Sequence, residues 1–573
     1  MKGSAMIVLG IHDGKDAGVA LLQDGELIYA ANEERFSRNK LHFGFPYLSL
    51  RNLFSHTRID PKTIDRVCVG FQSMVETEDY PIYTDINDIT MLQRIFAGTS
   101  RLLGPVTASL SFVKASRHLL SIVSKNKQSL QKSVREFGID ADIEYVDHHR
   151  SHAASAYYTS GYDEALIVTA DGGGDGLSGS IYTGRGSEID VLAEWPRVHS
   201  PGNFWFLITY ICGFNPIKHG GKITGLAAYR PCEETHRILS EFYGHDTRRL
   251  CFVNKKHLLF RDAYVELSKA LESYSIEQIA YGAQKVLEDT MCGIIEAAVE
   301  KTGLTKVALA GGTFANVRLN QKLIDLPSVE TIFIHPHMGD GGVAVGAGLD
   351  VLAREASIGP REIPNVYCGN ETSEQEILDT LYDAPVTFTK LKDPAEEIAD
   401  CLVRKQVIGL FNGEMEYGPR ALGHRTILAE PTDPTMMHWL NDRLGRTEFM
   451  PFAPIILEED APRYFENFKP GRLASKFMTL CFNVTDYGKQ MAPGIVHRDG
   501  TARPQIVNEK ENTYIYRVLK AYKRRSGLSL GINTSFNKHE EPIVCRPREA
   551  VQELLRGGVD VLFIENYKVE PRI

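Results

Sequence analysis

The sequence predicts a mixed α/β protein whose first part is internally duplicated and whose second part is another α/β domain. Three observations carry this. An apolar strand, a glycine-bearing loop and a second apolar strand occur at Met6–Gly10 with Gly18–Leu22, and again at Glu164–Ala170 with Gly179–Thr183. Strands of this length are bounded by turn residues in both places, and Gln23-Asp24-Gly25 reads as a hairpin turn into Glu26–Ala30. Helical patterns follow each copy: Thr90–Phe137 at loose spacing, and Ile276–Thr302 with Ile279, Ala283, Val286, Leu287, Met291, Ile294 and Ile295 on one stripe. Gly303 is placed to end that helix, and Lys306–Ala310 then runs as a strand into Gly311-Gly312. From Ala356 to Ser373 periodicity lapses and Pro, Gly, Asn and Ser accumulate, the signature of a linker. Residues 1–356 and 373–573 are therefore read as two domains. In the second, Ala395–Lys405 reads as a helix and Val407–Asn412, Leu528–Asn533 and Asp560–Ile564 as strands.

Two hairpin-and-glycine-loop halves, each followed by helices, are what an actin-like or sugar-kinase-like duplicated fold produces, although other doubly wound sheets share the pattern. The 573 residues are too many for one core, and 43% apolar with 24% charged residues is the balance of a globular chain. The formal charge of −9 argues against a nucleic-acid coat. Nine cysteines without a C-x-x-C pair fit neither a disulfide framework nor a thiolate zinc site, so a reducing cytoplasm is expected. Apolar runs are strand-length, and no membrane segment is expected. Met1–Ala5 precede a second methionine, Met6, where the natural chain is expected to begin.

The densest candidate site is Asp147-His148-His149-Arg150-Ser151-His152. On a helix, His148 and His152 lie one turn apart on one face and can reach one metal. Asp171, at the tip of the next strand, and Asp340, in a Gly-Asp-Gly-Gly string, are strand-end carboxylates able to complete a shell of two imidazoles and two carboxylates, suited to iron, manganese or zinc. Local hydrogen bonding at a helix start is the competing reading of the histidines. Gly172, Gly173 and Gly174 after one strand and Gly311 and Gly312 after another can present backbone N–H groups to phosphate, although tight turns explain glycine pairs as well. Farther on, Arg420, Arg425, Arg443, Arg446 and Arg503 lie near turn residues, and Asn533, Ser535 and Asn537 form a polar strand end. Guanidinium forks match phosphate and carboxylate oxygens, so these read as a small-anion pocket against the alternative of solvated loops.

The strings GIHDGKDAGVALLQDG, NEERFSRNK, VDHHRSHAASAYY, VTADGGGDG, GGKITGLAAY, LAGGTFANVRLN, HPHMGDGG, MEYGPRALGHRTILA, TEFMPFAP, HRDGTARPQ and NTSFN with EPIV run nearly end to end. Together they resemble the NodU/CmcH family of O-carbamoyltransferases. The resemblance implies an actin-like domain similar to tRNA threonylcarbamoyl transferase, then a YrdC-like domain. It implies that the latter converts carbamoyl phosphate and ATP with Mg2+ into carbamoyl adenylate, and that an acceptor hydroxyl attacks the carbamoyl group at an iron(II) site in the former. Carried over by motif, the metal ligands are His148, His152, Asp171 and Asp340. The adenylate is held by Gly172, Gly173, Gly174, Lys222, Gly311, Gly312 and Asn316, and carbamoyl phosphate with ATP by Arg420, Arg425, Arg446, Arg503, Asn533, Ser535 and Asn537. Arg420 is assigned a catalytic role.

Three positions depart from the family. Lys15 stands where relatives carry a base histidine, which makes His12 the substitute; Gly445 replaces a lysine; and Glu540 replaces a glycine before Glu541-Pro-Ile-Val. The expected partner is a small hydroxylated natural product; no nucleic acid is expected, and a homodimer is left open. Acceptor selectivity is assigned to Gln72–Gln131, with Ile95, Phe96, Leu102, Leu103, Phe112 and Val113 its apolar residues. Helix-packing core is the other reading of those six. Transfer onto tRNA and an idle nucleotide-binding scaffold are the competing functions.

Overall fold

The computed structural model describes residues 6–71, 125–258, 260–469 and 473–572. Residues 72–124 of the selectivity region, with all six apolar residues named above, lie outside the described residues. So does most of the predicted helical stretch 90–137, of which 125–136 is a helix.

The duplication is present in the sheets. In the first, the order is Glu26–Asn32, Gly18–Gln23, Ile7–His12, Arg66–Val69, Asp142–Tyr145. In the second it is Glu188–Pro196, Leu177–Arg185, Glu164–Gly174, Lys306–Ala310, Thr331–Ile334. Each sheet is an antiparallel meander whose first strand continues into two parallel neighbours. The central parallel strands Arg66–Val69 and Lys306–Ala310 are buried over all but their first residue, as strands covered on both sides must be. Each fifth strand leads into a helix, His148–Tyr158 from the first sheet and Val343–Ala356 from the second. These helices cross over: His148–Tyr158 lies on the second sheet, Val343–Ala356 on the first, and they pack against each other between the sheets. Both are rich in Ala, Gly and Ser where they meet, which lets the backbones approach closely.

Ala356 ends the helix Val343–Ala356, and residues 357–373 that follow lie outside the named helices and strands but are not loose. Arg361 and Ile363 donate backbone N–H groups to Tyr158 and Thr159, and Gly369 donates to Met415. Beyond it an eight-stranded mixed sheet runs Val386–Lys390, Tyr567–Pro571, Val561–Ile564, Ile408–Phe411, Arg425–Ala429, Leu530–Ser535, Ala453–Leu457, Gln505–Val507. Helices Pro394–Val403 and Thr513–Ser526 pack together over a buried layer that includes Ile408, Leu410, Ile455 and Phe563. The predicted helix 395–405 and strands 407–412, 528–533 and 560–564 are found, each displaced by one or two residues at its ends.

Candidate active site

His148–Tyr158 starts where Asp147 accepts a hydrogen bond from the Arg150 backbone N–H at 2.9 Å, and the Asp175 carboxylate accepts from that of His148 at 3.0 Å. The first turn therefore begins two residues before Arg150 and carries His148, with His152 one turn farther along the same face. His148, His152, Asp171 and Asp340 offer ligand atoms that all lie within 4.8 Å of one another. His148 Nε2 is 2.7 Å from Asp171 Oδ2, and His152 Nε2 is 3.4 Å from Asp171 and 3.6 Å from Asp340. Gly174 lets the strand tip close over the helix: a Cβ there would stand 2.3 Å from His148 Cγ. Asp171, on the strand Glu164–Gly174, and Asp340, after the strand Thr331–Ile334, both belong to the second sheet, whose parallel pairing through Lys306–Ala310 brings residues 169 positions apart together, while His148 and His152 come from the helix that follows the first sheet.

Charge in this cluster is strongly organised. Burial opposes ionisation of Asp171, yet His149 and His148 hold its carboxyl well below the usual range. Burial likewise opposes, but Asp171 and Asp340 outweigh it, raising His148 to about 9. Among the described residues, His152 Nε2 and Nδ1, His148 Nδ1 and Asp171 Oδ1 are buried without a hydrogen-bond partner. Buried polar atoms are rarely left unpartnered, and of these four His152 Nε2 faces Asp171 and Asp340 within the group of converging ligand atoms, an arrangement that fits a bound cation.

His12, at the end of the first strand, is buried; burial lowers it to about 4 and so keeps it neutral. Its Nε2 lies 2.9 Å from the Lys15 carbonyl, and its Nδ1 has no partner among the described residues. Lys15 thus meets His12 through its backbone. Gly311, at φ 101°, crosses so near Ala170 that a Cβ would fall 2.2 Å from its carbonyl oxygen, whereas nothing lies within 4 Å of a Cβ at Gly312. Gly172 to Gly174 form the tip of the strand that carries Asp171. Asn316 is engaged otherwise than the resemblance implies: its side chain caps Val317–Ile324 at 3.0 Å and pairs with Gln284 at 2.8 Å. Lys222 Nζ is likewise engaged, donating to Thr447 Oγ1 at 2.6 Å across the two parts of the chain.

The arginines separate into two groups. Arg425 is 0% exposed; it lies on the Phe411 ring and donates to the Asn412 and Gly413 carbonyls, so it builds the wall and is not available to an anion. Arg446 donates to Thr534, Ser535 and Asn537, ordering that polar turn from within, and Arg443 pairs with Asp560 at 2.7 Å. Asn533 and Asn537 spend their amide N–H groups on Ala421, Gln505, Lys538 and Glu541. Arg420 and Arg503 differ. Neither guanidinium has an acceptor or ion-pair partner among the described residues, and Arg503 together with burial pushes Arg420 down to about 9. The Glu448 carboxylate acts on both guanidinium groups but offsets less at Arg420 than Arg503 opposes, and two half-buried like charges left in excess favour an anion.

Three residues that the sequence reading left without a role join these sites. The Glu416 carboxylate accepts the N–H groups of Leu422 at 3.0 Å, His424 at 2.8 Å and Arg425 at 2.8 Å, closing the loop that carries Arg420. Buried Arg35 donates to the Gly418 carbonyl at 3.0 Å. The Tyr417 hydroxyl lies 3.3 Å from both the Gly341 carbonyl and His335 Nε2. All three sit inside quoted motifs, yet a single glutamate or tyrosine in a string does not announce which backbone it will hold.

Residues 7–349 match the family model described as the carbamoyltransferase N-terminus, and residues 399–571 that of the carbamoyltransferase C-terminus. The chain belongs to the carbamoyltransferase family. This carbamoyltransferase is 30% identical to nodulation protein NolNO of Sinorhizobium fredii over 98% of its own length and 79% of that protein. It is 32% identical to nodulation protein NolO of Bradyrhizobium diazoefficiens over 74% of its own length and 79% of that protein, and 23% identical to nodulation protein U of Rhizobium tropici over 93% and 91%. Among solved structures it is similar to component A of (R)-2-hydroxyglutaryl-CoA dehydratase from Acidaminococcus fermentans, at 12% identity and a TM-score of 0.34 over 60% of this chain and 96% of that one. Full-length HypF in its phosphate- and nucleotide-bound form is another, at 13% identity and a TM-score of 0.31 over 60% of this chain and 46% of that one. No helix of the described residues is long and apolar enough to cross a membrane.

Proposed function

We propose that this carbamoyltransferase is an ATP-dependent O-carbamoyltransferase with labour divided between residues 1–356 and 373–573. In the second part water cleaves carbamoyl phosphate to carbamate and phosphate, and the carbamate oxygen attacks the α-phosphorus of ATP with Mg2+ to give carbamoyl adenylate and pyrophosphate; in the first part a hydroxyl of a small molecule in the cytoplasm takes the carbamoyl group and AMP leaves. The observation that carries this reading is the pairing of two centres of opposite preference: a His/His/Asp/Asp cluster in which His152 Nε2 lacks a hydrogen-bond partner among the described residues, and an arginine pair whose mutual repulsion the one nearby carboxylate, Glu448, does not offset.

Arg420 and Arg503 hold the phosphate oxygens of carbamoyl phosphate, and neutralising that anion removes the repulsion between them. The bare backbone of Gly172, Gly173, Gly174, Gly311 and Gly312 receives the adenylate, since Lys222 and Asn316 are already held by protein partners. His148, His152, Asp171 and Asp340 hold iron(II). Such an ion supplies Lewis acidity where charge develops during acyl transfer. His12, neutral and with Nδ1 unengaged, takes the proton of the acceptor hydroxyl, its ring fixed through the Lys15 carbonyl.

Incubation with ATP and carbamoyl phosphate without acceptor, following pyrophosphate, tests the division. Pyrophosphate is expected from the unsubstituted chain and from His148→Ala, and is lost in Arg420→Ala. Absence of pyrophosphate from the unsubstituted chain overturns the reading.

A further inference from the structure

The loop that carries Arg420 is also part of the wall of the His/Asp cluster. Glu416, at its start, gathers the three amides of Leu422, His424 and Arg425 on one carboxylate oxygen, so residues 416–425 form a closed ring and not an open hairpin end. Within that ring Gln505, two residues on from Arg503, donates to the Leu422 carbonyl at 2.7 Å, which brings the segment of Arg503 beside the loop that carries Arg420. One residue beyond Glu416, Tyr417 reaches the other way. Its hydroxyl meets the carbonyl of Gly341, the residue after Asp340, and its ring lies 5.3 Å from that of His337. Arg35, from the short helix Glu34–Ser37, is 3% exposed and donates to the carbonyls of Glu416 at 3.4 Å and Gly418 at 3.0 Å, on either side of Tyr417.

We infer that Arg35 and Tyr417 are positioning residues that couple the arginine pair to the His/Asp cluster, so that an anion at one favours a cation at the other. The inference rests on the functional reading above for what occupies each site. The physical reason is mechanical. Glu448 offsets the repulsion between Arg420 and Arg503 only in part, the remainder pushes the ring toward a position that relieves it, and an anion between them removes that push. The ring is closed by Glu416 and clamped by Arg35, so the displacement is not absorbed within it. It is delivered through Tyr417 to the Gly341 carbonyl, and so to the backbone that aims the Asp340 carboxylate. Coupling between two binding sites is reciprocal: whatever factor the anion contributes to cation affinity, the cation returns to the anion.

The test uses the full chain, cobalt(II) as the cation and carbamoyl phosphate as the anion. Cobalt affinity is read from its visible absorption, carbamoyl phosphate affinity from calorimetry, each with and without the other probe and corrected for their association in free solution. Carbamoyl phosphate is expected to tighten cobalt binding about fivefold, the low end of measured couplings, and cobalt to tighten carbamoyl phosphate by the same factor. In Arg35→Gln and in Tyr417→Phe each probe is expected to bind alone while the mutual effect disappears. Tyr417→Phe removes one oxygen and keeps the ring's packing, so it carries the test if Arg35→Gln does not fold. Both probes binding independently to the unsubstituted chain overturns the coupling and leaves the functional reading intact. Coupling that persists in Tyr417→Phe and in folded Arg35→Gln overturns the assignment to these residues. Failure of the unsubstituted chain to bind carbamoyl phosphate or cobalt overturns the functional reading and this inference with it.

Discussion

Asp171 is the residue on which the cluster turns, because both its oxygens are aimed at imidazoles: His148 and His152 at Oδ2, His149 at Oδ1. Asp171→Asn keeps the shape and removes the charge, so bound divalent metal is expected to fall from near one per chain to a small fraction, measured by elemental analysis after dialysis. Glu416 is the corresponding residue of the second site. Burial alone would raise its carboxyl, but His424, Arg425 and Arg35 with the loop amides hold it below the usual range. A carboxyl depressed on folding contributes stability that is complete above its unfolded value and is lost as pH falls through the folded one. Glu416→Gln leaves two buried arginines short of a counter-charge, which is expected to cost about 3–5 kcal/mol in denaturant unfolding at neutral pH. On acidification the gap between the two proteins is expected to narrow, and a gap that widens would contradict the assignment.

At the scale of elements, the helix His148–Tyr158 is held at its start by the Asp147 cap, and the two histidines of the cluster, His148 and His152, are its first and fifth residues. Asp147→Ala is expected to cost about 1 kcal/mol by thermal melting and to weaken cobalt binding as well, because fraying the turn disperses the ligands. Gly445 closes the helix Met436–Leu444 at φ 62°, a conformation glycine adopts freely. The lysine that relatives carry there would cost about 1–2 kcal/mol in backbone strain, read as a lowered melting temperature. Glu540 shows the opposite choice. It takes φ 62° without being glycine, and its carboxylate pairs with Lys218 at 3.3 Å and His219 at 3.1 Å from the first part of the chain.

For the molecule as a whole, one apolar cluster includes Leu166, Leu309 and Ile334 of the second sheet together with Phe411, Ile456 and Leu562 of the eight-stranded sheet. Helix Gly220–Leu226 is joined to the loop at Thr447 through Lys222, Tyr229 donates to the Phe449 carbonyl, and Arg38 donates to the carbonyls of Pro542 and Ile543. Parts that share a core lose it together. A single calorimetric transition is therefore expected for the full chain, with the heat measured directly equal to that from its temperature dependence, and two resolved transitions would show that the parts unfold separately.

The duplicated α/β pattern, the break in periodicity after Ala356 and the four side chains that converge as the His/Asp cluster were legible in order along the chain. Strand alternation, glycine loops and a one-turn histidine spacing are local properties, set by the backbone periods of 2 and 3.6 residues. Strand ends were displaced by a residue or two because the last ladder bonds depend on partners far away in the chain. What only the tertiary structure decided is which polar side chains are free. Arg420 and Arg425 stand five residues apart in one string, yet the first lacks an acceptor among the described residues and the second is spent on two carbonyls. A side chain's chemistry is written in its type, but its availability is the remainder after burial has required every polar atom to find a partner, and those partners come from residues up to hundreds of positions away.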